Sequence, residues 1–76
     1  LICDNDVMDS IIDRFGEDVV TNSHNQTSFK AIVNVALSNV FYSWIFGFGG
    51  KVKILHPPEA KEQYSNMLRN AVTSLD

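Results

Sequence analysis

The chain has 76 residues, a formal net charge of −3 and a hydrophobic content of 45%, which predicts one small globular domain and excludes a disordered segment. The negative charge disfavours a domain that binds nucleic acid directly, because phosphate contacts need clustered Lys and Arg. A single cysteine, Cys3, excludes an internal disulfide framework and a cysteine-based zinc site, and it makes a cytoplasmic location the default expectation. The longest apolar-rich stretch, residues 40–48, is too short to span a bilayer, so no membrane partner is expected.

The first residues are predicted to form the end of a strand. Leu1-Ile2-Cys3 is a short apolar run that stops at Asp4-Asn5, and the chain does not begin with Met. We therefore expect residues 1–76 to be a single domain excised from a longer protein, with its first strand truncated to residues 1–3.

The next segment predicts an amphipathic helix. Asp4 or Asn5 is expected to cap it, and Gly16 stands where a residue with positive φ commonly ends a helix. Apolar residues recur at i, i+1, i+4, i+5 and i+8, which forms one helical stripe. These residues are Val7, Met8, Ile11, Ile12 and Phe15.

Residues 18–37 predict an antiparallel hairpin. A short β-like run over 18–23 is followed by a polar turn at 24–26 and a long strand over 27–37. Alternation along the long strand assigns residues to two faces. One face carries Phe29, Ala31, Val33 and Val35, and the other carries Lys30, Ile32 and Asn34.

A second helix is expected from Ser38, its N-cap, to a glycine-rich turn at residues 47–50. Helical spacing assigns its core stripe to five residues, which are Val40, Phe41, Trp44, Ile45 and Phe48. This assignment leaves Tyr42 and Phe46 pointing away from the core. Together with Ile32, they are our candidates for a partner interface, since aromatic residues are enriched in interface cores.

The remaining chain predicts a strand over residues 51–55 with Val52 and Ile54 inward, followed by a helix with Pro58 in its first turn. The apolar stripe of this last helix comprises Ala60, Tyr64, Met67, Leu68, Ala71, Val72 and Leu75. The order β-α-β-β-α-β-α predicts an α+β, ferredoxin-like antiparallel sheet with a central first strand and an additional C-terminal helix. That helix is expected to cover the open face of the sheet, where Ile32 lies, or an edge.

No motif predicts an enzyme, a cofactor site or a metal site. The turn Gly47-Phe48-Gly49-Gly50 follows a helix, whereas phosphate-binding loops run from a strand into a helix. His24 and His56 have no further ligands at metal-binding spacing. The Lys51, Lys53 and Arg69 side chains could form a weak anion site, although solvated lysines are the simpler interpretation. Base stacking by the aromatic group lacks the flanking positive charge that usually accompanies it.

Three segments together resemble a known family. Residues 11–16 end in Arg14-Phe15-Gly16, residues 41–49 contain Trp44-Ile45-Phe46-Gly47-Phe48-Gly49, and a strand ending at His56-Pro57-Pro58 precedes the last helix. Their order is similar to the C-terminal extension of bacterial WYL-domain transcription regulators, called the WCX region.

The resemblance implies a non-catalytic regulatory module of a cytoplasmic protein whose other parts are a WYL domain and a DNA-binding helix-turn-helix. It implies that the module contributes to dimerisation, couples effector sensing to DNA binding, or does both. No ligand-binding residue of the family has a counterpart in this chain. A small-molecule-binding sensor domain of ferredoxin-like fold is the alternative function.

Overall fold

The computed structural model describes residues 1–75 as a four-stranded antiparallel sheet with three α-helices. The α+β class and the C-terminal helix are therefore confirmed. A single 3₁₀ turn, Asn5–Val7, leads into the first helix. The strands are β1 (Ile2–Asp4), β2 (Val20–Ser23), β3 (Ser28–Ile32) and β4 (Val52–Lys53), and the helices are α1 (Met8–Phe15), α2 (Asn39–Phe46) and α3 (Pro58–Thr73).

The sheet has the strand order β2-β3-β1-β4, and each neighbouring pair is antiparallel. This order places β1 between β3 and β4, in the central position that the pattern predicts. Cys3 lies opposite Phe29 on one side and Val52 on the other. All three side chains are buried, so this row forms the sheet's contribution to the core.

Strands β3 and β4 are shorter than the sequence pattern predicts. The register pairs Ile2 with Lys30 and with Lys53, and Leu1 exchanges two backbone hydrogen bonds with Ala31, at 2.8 and 2.9 Å. Strand β3 ends at Ile32 and β4 at Lys53, whereas the sequence predicts strands to residues 37 and 55. A β-strand needs a hydrogen-bonded neighbour, and the last paired residues are Ile32, opposite Val20 of β2, and Lys53, opposite Ile2 of β1.

Helix α1 begins without a side-chain cap. Asp4 makes no capping hydrogen bond, and the Asn5 amide donates to the Gln26 carbonyl oxygen at 3.1 Å. The prediction that either residue caps the helix is therefore wrong. The helix ends as predicted at Gly16, whose φ of +92° lies where side-chain-bearing residues are strained. Its buried face is anchored by Ile11, which is fully inaccessible to solvent.

Helix α2 has the predicted cap and a rotated core face. The Ser38 hydroxyl accepts a hydrogen bond from the Phe41 backbone N–H at 3.3 Å. Phe41 and Ile45 are buried, but Val40 is 71% exposed, so its assignment to the core stripe is wrong. Ile45 lies four residues beyond Phe41 on the face that α2 turns toward the sheet, and Val40 lies outside this face.

Helix α3 is packed from Ala60 to Met67 and is exposed beyond Leu68. Ala60 is buried and Tyr64 is half-buried, whereas Val72 and Leu75 are exposed. The apolar stripe that the sequence predicts along the whole helix therefore has a partner only at its N-terminal end. The outer face of the sheet stays uncovered, and Ile32 remains 65% exposed there.

Candidate functional site

The described residues contain no group suited to metal chemistry. Within residues 1–75, no three His, Cys, Asp or Glu side chains lie close enough together to hold a metal ion. The single thiol, Cys3, is fully buried, and burial raises its pKa. Among the helices of this part of the chain, none is both long and apolar enough to cross a membrane.

An aromatic cluster around Trp44 joins the end of α1 to α2. The rings of Phe15 and Phe48 meet the Trp44 ring edge to face, with centroids 5.5 and 4.9 Å away. Phe41 stacks on it at 6.2 Å. The Arg14 guanidinium lies over the same ring, 5.3 Å from its centroid, where the ring's negative face attracts a cation.

The chain positions this cluster through local geometry. Arg14 and Phe15 are the last residues of α1, and positive φ at Gly16 turns the chain away immediately afterwards. Phe48 follows α2 in the glycine turn. The helical periodicity of α1 and α2 does not predict the pairing of Arg14 with Trp44. The family resemblance does indicate both residues, because Arg14 belongs to its first motif and Trp44 to its second.

Tyr42 belongs to the core. It is 3% exposed, its hydroxyl donates to Gln63 Oε1 at 2.7 Å, and its ring stacks on Tyr64 with centroids 5.6 Å apart. The prediction that the core leaves Tyr42 out is therefore wrong. The sequence places Tyr42 outside the stripe that faces the sheet, but α3 packs against that side of α2 and buries it.

The Tyr42–Tyr64 stack predicts a loss of stability at alkaline pH. Burial raises the pKa of both phenols, and the charge of Glu59 raises that of Tyr42 further. The folded chain therefore keeps protons that the unfolded chain releases near pH 10. We expect the stabilisation to be complete below about pH 10 and to disappear as pH rises through the folded pKa values.

Urea denaturation as a function of pH measures this effect. Tyr42→Phe should weaken the alkaline decline, and at neutral pH it should cost about 1 kcal/mol through the lost hydrogen bond to Gln63. Tyr64→Phe is the matched variant in the same stack. An alkaline decline that is identical in the wild type and in both variants would contradict the assignment.

The other two interface candidates are exposed in different places. Phe46 is 61% exposed and lines a groove of about 650 Å³ between α2, β4 and α3, with Tyr64 and Leu68 on its opposite wall. Ile32 lies on the outer face of the sheet, opposite Val20. Phe46 and Ile32 are therefore not parts of one surface, and an interface role for either stays a prediction.

The three cations of the candidate anion site have different neighbours. Lys51 Nζ lies 2.6 Å from Asp6 Oδ2, and this hydrogen bond raises the pKa of Lys51. Lys53 lies opposite Ile2 on the sheet, and Arg69 approaches Asn66 on α3. None of these neighbours is another of the three cations, and an anion site formed by them stays a prediction.

Comparison with models of protein families shows which family the chain belongs to. The family model described as the WCX domain matches residues 2–72. The chain belongs to the WCX domain family. The WCX domain is the C-terminal module associated with WYL-domain regulators, so the resemblance is confirmed. No curated protein and no solved structure matches this WCX domain.

The matched range includes both halves of the Trp44 cluster, Arg14-Phe15 and Trp44 with Phe48. It also includes the packed part of α3 and ends one residue before that helix does. In this WCX domain, the motifs that indicate the family therefore coincide with contacts that hold α1 against α2. Surfaces that remain for binding are the groove beside Phe46, the unpacked end of α3 and the outer face of the sheet.

Proposed function

We propose that this WCX domain is the non-catalytic C-terminal module of a bacterial transcription regulator. In this proposal it couples effector sensing to DNA binding by WYL and helix-turn-helix domains of the same chain, and it contributes to dimerisation. The family match over residues 2–72 carries the proposal. The order of elements and the strand order β2-β3-β1-β4 support a ferredoxin-like assignment for the module.

The proposed dimer surface combines Phe46 with the unpacked stripe of α3. Phe46 is 61% exposed, Val72 64% and Leu75 84%. Leu68 lines both the groove beside Phe46 and a shallow depression that includes Val72, so Phe46, Leu68 and Val72 form one continuous surface. Helices in proteins gain most of their stability from the packing of an apolar face, and α3 beyond Leu68 lacks such packing within residues 1–75.

Sedimentation equilibrium tests this surface. The wild-type chain should self-associate, and Phe46→Glu should weaken the association at least tenfold, because a carboxylate would be buried without a partner. Val40→Glu is the matched control, since Val40 lies on the same helix and is 71% exposed. A wild type that stays monomeric, or equal weakening by both variants, would contradict the proposed dimer.

A small-molecule sensor is the second candidate function, and a cavity of about 390 Å³ favours it. The cavity lies between the segments that follow β3 and β4, where Val35, Leu37, Phe41 and Ile54 contribute apolar walls and His56 a polar group. Its size lies in the usual range of ligand pockets. A thermal-shift screen with nucleotides and metabolites should give stabilising compounds, and Val35→Trp should abolish their effect. A screen without any stabilising compound would count against this candidate.

A further inference from the structure

The outer face of the sheet carries an apolar row beside a basic row. Paired residues in neighbouring strands point to the same face, so the register defines both rows. Val20 lies opposite Ile32 in the first row, and these side chains are 54% and 65% exposed. The second row crosses all four strands in the order Asn22, Lys30, Ile2 and Lys53.

The two lysines of the basic row have no acidic partner in the part of the chain that the structure describes. The ion pair between Lys51 and Asp6 is the only one among residues 1–75. Lys30 and Lys53 are both exposed, and they flank the half-buried Ile2 from the neighbouring strands. Because adjacent strands lie about 4.8 Å apart, the two lysine positions are about 10 Å apart across the sheet.

The acidic residues of the chain are concentrated elsewhere. Six of the nine acidic residues fall within residues 4–18, which end β1 and form α1 and its flanking turns. Asp4 is the one acidic residue in the strands of this sheet, and it lies on the same outer face as Ile2, two residues earlier in β1. The outer face thus combines exposed aliphatic side chains with local positive charge in a protein whose net charge is −3.

We propose that this outer face, formed by Val20, Ile32, Ile2, Lys30 and Lys53, docks an acidic amphipathic segment of a protein partner. The aliphatic side chains of the segment would cover Val20, Ile32 and Ile2. Two carboxylates of the segment, about 10 Å apart, would pair with Lys30 and Lys53. In a helix this spacing corresponds to positions i and i+7, because seven residues rise about 10.5 Å.

The charge pattern favours an acidic protein segment over three other occupants, which are a second copy of the chain, a single nucleic-acid strand and a lipid surface. A second copy stacked face to face would offer only one carboxylate, that of Asp4, to the two lysines of the facing row, which gives poor charge complementarity. A single nucleic-acid strand needs aromatic platforms for its bases, and no aromatic residue occupies either row. A lipid surface gains only about 1 kcal/mol per basic residue, which is too little from two lysines. Lys53 also lines the groove beside Phe46, whereas Lys30 and Ile32 lie outside that groove, so substitutions at Lys30 and Ile32 distinguish the docking surface from the proposed dimer surface.

Nuclear magnetic resonance titration tests the proposal with two synthetic peptides. The probe is an alanine-based helix with Leu at positions i+3 and i+4 and Glu at i and i+7, and its control carries Gln in place of both Glu residues. The acidic peptide should shift the amide signals of Ile2, Lys30, Ile32 and Lys53. Its dissociation constant should rise with salt, because exposed charge pairs are screened.

Matched variants locate the contact. Replacing both lysines, as Lys30→Gln with Lys53→Gln, should weaken binding of the acidic peptide about fivefold to tenfold, the equivalent of two exposed ion pairs. Lys61→Gln, at an exposed lysine on α3, should leave binding unchanged. Ile32→Asp should abolish binding, and the circular dichroism spectrum reports whether that variant is folded.

Several results would overturn the proposal. Equal binding of the acidic and the Gln peptides would remove the charge argument, and shifts confined to α3 would move the contact elsewhere. Shifts of the same face on simple dilution of the protein would identify a second copy as the occupant. Tighter binding of an oligothymidine strand, or of vesicles with anionic lipid, would identify nucleic acid or lipid, and not a protein, as the partner of this face.

Discussion

Ile45→Ala is expected to lower the free energy of unfolding by about 3–4 kcal/mol, the largest effect of any single truncation considered for this chain. Ile45 is 1% exposed and is one of the largest side chains that are fully buried. Its removal loses the transfer free energy of the deleted atoms and leaves a cavity between α2 and the sheet. A domain of this size has a total stability on the order of 5–10 kcal/mol, so this loss is a large fraction of it.

Urea denaturation measures this loss as a lower midpoint with an unchanged m-value. Val40→Ala is the matched control on the same helix. Val40 is 71% exposed, so its truncation should change the free energy of unfolding by less than about 0.5 kcal/mol. Similar effects of the two substitutions would mean that the core face of α2 has been assigned to the wrong side.

Trp44→Ala should lower the free energy of unfolding by about 3 kcal/mol, near the lower end for a buried aromatic because Trp44 is only half-buried. The substitution removes edge-to-face contacts with Phe15 and Phe48, at 5.5 and 4.9 Å. It also leaves Arg14 without its aromatic partner. Since Trp44 joins the end of α1 to α2, we expect α1 to lose protection from hydrogen exchange more than β2 does.

A double-mutant cycle isolates the contribution of Arg14. Arg14→Ala and Trp44→Ala, measured singly and together, should give a coupling energy of about 0.5–1 kcal/mol, as expected for a partly exposed cation over an indole. Arg69→Ala, on α3, should show no coupling to Trp44. A coupling energy near zero would mean that the position of Arg14 over the Trp44 ring contributes nothing to the stability of the domain.

These two expected effects bear on the proposed function. The residues that indicate the family are engaged in holding the module together, and the exposed surfaces lie elsewhere, at Phe46, α3 and the outer sheet face. Loss of regulation in a Trp44 variant would therefore indicate that the module has unfolded, and not that a binding surface has been lost. Substitutions at Phe46 or Lys30 are better suited to separate binding from stability, because both side chains are exposed.

The local sequence pattern correctly predicts features that depend on one helix or one strand alone. Ser38 was predicted as a cap because its hydroxyl can reach a free N–H in the first turn. Gly16 was predicted to need positive φ because it directly follows the apolar stripe of α1. Alternation placed Val52 and Ile54 inward, and both are buried. Each of these predictions depends on residues that are neighbours in the chain.

The sequence by itself thus determined the α+β class, the order of the elements, the central position of β1 and the family. Tertiary structure decided the rest, because contacts between distant segments overrule local preference. Strands β3 and β4 stop at Ile32 and Lys53, where their paired residues end, since a strand needs a partner for its hydrogen bonds. The position of α3 buries Tyr42, which the period of α2 alone had left outside. Arg14 meets Trp44 only after α1 and α2 pack together, 30 residues apart in the chain.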